Sequence, residues 1–119
     1  MIKPNCKLYI STEQDKGAFG DGKYLLLKAV KQHRSIQLAA QSLGRAYRKA
    51  WGDIKRAEQG LGRRLVTTSR GGSTGGESAL TEFGDALLTA WEHYQSEVRN
   101  DVNALFSKHL RSTFQDERQ

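Results

Sequence analysis

Ser35-Ile36-Gln37-Leu38-Ala39-Ala40-Gln41-Ser42-Leu43-Gly44-Arg45-Ala46-Tyr47-Arg48-Lys49-Ala50-Trp51 is the stretch that decides the fold. It reads as helix, glycine turn, helix. Ala39 and Ala40 let the second helix cross close over the first, Gly44 permits a tight turn, and Tyr47, Ala50, Trp51 and Ile54 recur at helical spacing. Arg45, Arg48, Lys49, Gly52 and Arg56 fall on another face of the same helix. Cations there suit phosphate and guanine contacts in a DNA groove.

Working outward, Asp21 is a plausible cap for a first helix carrying Tyr24, Leu25, Leu27, Ala29 and Val30 and ending near His33 or Arg34. Ser35 caps the second helix, which runs to about Leu43, and the third runs from about Ala46 to Leu61, closed by Gly60 and Gly62. Upstream, Leu8 and Ile10 alternate with polar neighbours as in a short strand, and Gly17, Gly20 and Gly22 punctuate a turn. Downstream, Leu65 to Thr68 and Ser78 to Leu80 read as strands around a glycine-rich loop, the outline of a wing. Thr81 then caps a long final helix, in which Leu87, Trp91, Tyr94, Val98, Val102 and Leu105 recur every three or four residues. About thirty residues at ~1.5 Å each exceed what so small a domain needs, so this stripe is expected to form a two-fold seam with a second copy. The expected fold is mostly α with a small β wing (α+β): a winged helix-turn-helix over 1–80, a dimerisation helix over 81–110 and a frayed tail over 111–119.

Composition narrows the function. The 119 residues suit one domain, and the net charge of +6 is uneven. Residues 1–80 hold 15 Lys or Arg against 6 Asp or Glu, whereas residues 81–119 hold 4 against 7. A basic front suits a polyanion. No run approaches the ~20 apolar residues of a membrane span, and the start Met1-Ile2-Lys3-Pro4-Asn5 lacks the hydrophobic region of a signal peptide. A cytoplasmic protein, free of the membrane, is expected. With Cys6 the only cysteine, an internal disulfide and a cysteine-built zinc site are excluded. His33, His93 and His109 are too scattered for a metal site within one helix, and no serine or cysteine has the context of a nucleophile. No cofactor, metal or enzymatic activity is expected. The glycine loop lacks the lysine followed by Ser or Thr of a P-loop.

The pattern Phe19-Gly20-Asp21-Gly22, Leu26-Leu27, Ser35-Ile36, Ala39-Ala40, Leu43-Gly44, Tyr47, Ala50-Trp51, Glu58, Leu61-Gly62, Leu65, Gly71-Gly72, Gly75-Gly76, Leu80-Thr81 and Gly84 resembles the winged-helix domain of molybdate-dependent (ModE-type) transcriptional regulators, itself akin to the amino-terminal domain of LysR-type regulators. It covers roughly Lys7 to Tyr94, about three quarters of the chain. The resemblance implies a homodimer on a partly palindromic operator in double-stranded DNA, with the helix near Ala46 in the major groove and the wing beside it. In full-length members a carboxyl-terminal region binds molybdate or tungstate. This sequence ends after the long helix, so molybdate is not expected as a direct ligand. Arg34-Ser35 stands where members usually have Gly-Ser, Ala46 where a serine is frequent, and Thr68 where an arginine is common.

The candidate DNA contacts are therefore Arg45, Arg48 and Lys49 in the major groove and on nearby phosphates, with Lys55 and Arg56 on the backbone. Ser35 and Gln37 are expected at phosphates, Tyr47 packs its ring inward while its hydroxyl reaches a phosphate, and Arg63, Arg64, Arg70, Ser73 and Thr74 serve the wing. Trp51 and Trp91 are expected in the core. Two rival readings remain: a winged-helix module that binds an acidic protein, and an oxyanion sensor built on a Gly71 to Gly76 nest.

Overall fold

Gly44, with a φ of +66°, turns the chain between α2 (Ile36–Ser42) and α3 (Tyr47–Leu61), as the quoted stretch predicts. The computed structural model describes residues 2–69 and 76–115. Ser35 Oγ accepts the Leu38 N–H at 3.1 Å and so caps α2. The Arg45 N–H returns to the Ala40 carbonyl at 2.9 Å. Ala39, Ala40 and Ala50 are fully buried where α2 and α3 cross, because only small side chains permit so close an approach.

Against this pair packs α1 (Asp21–His33), burying Tyr24, Leu26, Leu27, Ala29 and Val30, while Leu25 stays exposed. Asp21 is not the cap: Gly20 occupies that position without a side-chain bond, and the Asp21 carboxylate accepts the Trp91 indole N–H at 3.2 Å. Gly20 also belongs to a strand. β1 (Tyr9–Ile10) pairs antiparallel with β2 (Phe19–Gly20), and a Cβ at Gly20 would meet Tyr9 Cβ at 3.2 Å. Gly62 closes α3 in the left-handed region, whereas Gly60 lies within the helix, where a Cβ would come within 2.9 Å of Ala18.

The wing strands β3 (Val66–Ser69) and β4 (Glu77–Leu80) pair antiparallel, one residue beyond the expected limits on their loop side. Thr81 Oγ caps α4 (Glu82–His109) by accepting the Gly84 N–H at 2.9 Å. Residues 111–114, expected to fray, form the helical turn α5 (Arg111–Phe114). Phe114 stacks on Phe106 at 6.1 Å between ring centroids, which shields an aromatic at the far end of α4 from water.

The core runs between the helix-turn-helix unit and the first half of α4. At its centre Trp91, 2% exposed, meets Phe19 edge to face at 5.1 Å. Trp91 was expected both in the core and on the dimerisation stripe, and the structure corrects the second assignment: its indole is consumed by the chain's own interior.

Candidate nucleic-acid interface

The buried face of α3 consists of Ala50, Ile54, Ala57 and Glu58. Successive helical residues turn by about 100°, so burying those positions turns Arg48, Lys49, Gly52 and Arg56 outward, and all four are exposed. Lys49 Nζ lies 3.6 Å from Asp53 yet keeps 68% of its side chain in solvent. The Asp53 carboxylate is largely buried, at 14% exposed, so the pair is open to solvent on its lysine side. Beside this face, Ser35, Gln37, Tyr47, Trp51, Thr68, Ser69 and Glu77 line a groove of 240 Å³ between α2, α3 and the wing.

Other expected contacts are engaged elsewhere. Arg45 Nη1 donates to the Gly22 carbonyl at 3.1 Å, which draws its guanidinium toward the start of α1. Lys55 Nζ sits 5.0 Å above the Trp51 ring and 3.7 Å from Glu58. The Arg63 guanidinium stacks on Phe83 at 4.2 Å, and Arg64 donates to the Val66 carbonyl at 3.2 Å. Tyr47 does not pack its ring inward: it is 48% exposed, because α3 begins there, beyond the close crossing with α2. Trp51 is only half-buried, on the groove side of the helix. Arg70, Ser73 and Thr74, with the Gly71–Gly75 part of the nest, lie outside the described residues.

Two organising residues escaped the sequence reading. Glu58 is buried, and its Oε2 accepts the N–H groups of Leu65 at 2.8 Å and Val66 at 3.2 Å. Arg64 Nε, 3.7 Å away, balances that charge. The carboxylate thus ties the end of α3 to the first wing strand. Arg34, at φ +58°, pairs with Glu77 at 3.5 Å and accepts the Ser78 N–H on its carbonyl, fixing the second wing strand to α1. The only sequence sign of either was Glu58's place in the family pattern and Arg34's place where glycine is usual.

The expected seam residues separate into groups. Leu87 is half-buried against the core, and Val98 and Val102 line a cleft of 480 Å³ with the segment 3–6. Tyr94 and Leu105 are 49% and 54% exposed. Among the described residues no group of acids, histidines or cysteine could hold a metal ion, and no helix is long and apolar enough to cross a membrane.

A helix displayed by a glycine turn, set beside a two-stranded wing and bearing solvent-exposed cations defines a winged helix-turn-helix domain of the kind that binds DNA. Residues 23–85, more than half of the chain, match the bacterial regulatory helix-turn-helix proteins of the lysR family, and the chain belongs to that family. Residues 23–85 are thus a regulatory helix-turn-helix domain. The chain's relatives include ModE proteins, the type that the sequence pattern resembles. It is 30% identical over 105 residues to the molybdenum-pterin-binding protein MopB of Rhodobacter capsulatus, an alignment covering 88% of this chain and 38% of that protein. Identity to the transcriptional regulator ModE of Haemophilus influenzae is 29% over 89 residues, covering 74% of this chain and 35% of the relative. For the molybdenum transport protein ModE of Herbaspirillum seropedicae the figures are 35% over 72 residues, 60% and 27%. The chain thus spans 27–38% of the length of these relatives.

Proposed function

We propose that the chain binds a partly palindromic DNA operator as a homodimer, placing α3 in the major groove and the wing against the neighbouring backbone or minor groove. The observation that carries this reading is the exposed face formed by Arg48, Lys49, Gly52 and Arg56, which is free of large side chains at Gly52. Arg48 and Lys49 serve the groove and its phosphates, Arg56 the backbone, and Ser35 and Gln37 the phosphates at the start of α2. Arg45, anchored on Gly22, and Lys55, resting on Trp51, act as phosphate contacts. Arg63, Arg64, Arg70, Ser73 and Thr74 remain the wing's contribution. The seam is formed by the flank of α4 that carries Leu87, Tyr94, Val98 and Leu105, with Val102 at its margin and Trp91 withdrawn.

Selection of bound fragments from random duplex DNA tests nucleic-acid binding, sequence preference and half-site symmetry together. The expected result is an inverted repeat whose affinity falls with salt at a log-log slope of about −0.9 for each phosphate neutralised. Arg48→Ala is expected to relax preference at one base position at a cost of about 1–3 kcal/mol. Failure to retard any duplex at low salt would overturn the proposal and favour a module that binds an acidic protein.

A further inference from the structure

The groove between α2, α3 and the wing contains a hydrogen bond whose polarity has a consequence for binding. Tyr47 opens α3, and Trp51 follows one turn later on the same flank. The indole Nε1 of Trp51 donates to the Tyr47 hydroxyl oxygen. An indole N–H can only donate. The phenol is therefore the acceptor in this pair, and its own proton must point elsewhere. Among the described residues that proton meets no acceptor within hydrogen-bond distance, and the side chain is half in solvent.

The indole itself is held in place. Lys55 Nζ lies over its ring, and Glu58 holds Lys55 from the other side at 3.7 Å. A cation over an aromatic face restrains the ring while leaving its N–H free to act. The nearby groove wall adds the hydroxyls of Ser35, Thr68 and Ser69. The Ser35 oxygen already accepts the Leu38 N–H, so its proton is likewise left to donate. The one carboxylate on the wall, Glu77, is paired with Arg34.

We infer that Trp51 is a positioning residue that locks the Tyr47 hydroxyl as a hydrogen-bond donor, aimed at a phosphate oxygen on the strand that passes between α3 and the wing. This rests on the DNA-binding reading above and deepens it. A phosphate oxygen is the fitting ligand because it is an acceptor only, whereas base edges in the major groove mix donors and acceptors. The base-reading cations lie farther round α3, on the face with Arg48 and Gly52.

The test measures the affinity of full-length Tyr47→Phe, Trp51→Phe and the double variant for the duplex recovered by selection with the wild-type chain. Each single variant is expected to bind about tenfold more weakly, the size of one charge-assisted hydrogen bond. The double variant is expected to bind no more weakly than Tyr47→Phe alone, because both changes remove the same contact. The salt slope should stay unchanged, since no cation is lost. Tyr47→Phe removes one oxygen from an exposed ring, so its folding is secure even if Trp51→Phe is less stable. Binding by Tyr47→Phe within about twofold of wild type, or a double loss equal to the product of the single losses, would overturn the inference while leaving DNA binding intact. A wild-type chain that binds no duplex would instead overturn the reading on which it rests.

Discussion

Gly52 and Gly84 are both helical, and the same change to alanine is expected to act on them with opposite sign. At Gly84 an added Cβ would lie 2.3 Å from the Leu65 carbonyl oxygen and 3.3 Å from Leu65 Cα. That backbone cannot easily move. Its N–H is held by Glu58 at 2.8 Å, and its carbonyl accepts the Thr81 N–H at 2.9 Å. Overpacking of this kind costs about 1–3 kcal/mol, and loss of the Thr81 bond adds about 1 kcal/mol. Alanine returns only about 1 kcal/mol of helix propensity. The net expectation for Gly84→Ala is a loss of about 2 kcal/mol. At Gly52 nothing lies within 4 Å of the added Cβ, so the propensity gain stands alone. Urea unfolding at equal protein concentration checks both, with midpoints separated by about 1–2 M for an m-value of about 1.5–3 kcal/mol/M. A Gly84→Ala variant as stable as wild type would show that α4 does not start against the Leu65 backbone. A destabilised Gly52→Ala would refute the open outer face of α3.

Glu58→Ala would strand the buried N–H groups of Leu65 and Val66, and a loss of about 2–4 kcal/mol is expected, with faster amide exchange at those two positions. Tyr24 donates to Glu92 at 2.8 Å, and burial, followed by that bond and the charges of Glu92 and Asp21, pushes its phenol up to about 12. The folded state therefore keeps a proton that the unfolded chain sheds near pH 10, so stability falls as pH rises from about 10 to 12. Tyr24→Phe should flatten that fall in alkaline unfolding curves. Arg34→Gly removes an exposed pair with Glu77 but relieves a left-handed backbone in a non-glycine residue, and thermal melting is expected to show a gain of about 0.5–1 kcal/mol. A lower melting temperature would refute it.

Local chemistry made much of the fold legible. The alanine pair, Gly44, and the Ser35 and Thr81 caps each state their requirement within four residues of chain, and each holds in the structure. The alternation around Leu8 and Ile10 announced a short strand at β1, but its partner β2 was missed, because Gly20 reads as a turn until Tyr9 is seen lying against it. Trp91 exposes a different limit. Periodicity locates an apolar stripe without saying what covers it, so a residue sealed by Phe19 looks the same as Leu105, which is open to solvent. For the site, the outward cations of α3 follow from spacing alone. The inward fold of Glu58 does not, because its partners are amides seven and eight positions away whose placement needs the whole α3–wing corner.

The 28-residue α4 is bolted to the core along its first half through Leu88 and Trp91, its second half reaches past the core with Val98 and Val102 facing the segment 3–6, and the molecule measures 67 Å in its longest direction. In the proposed dimer such a rod acts as a ruler between two reading heads. One residue inserted beyond Trp91 would rotate the distal seam by about 100°, whereas seven would nearly restore the phase and lengthen the arm by about 10 Å. Operator spacing would then be written in the length of a helix that touches no DNA.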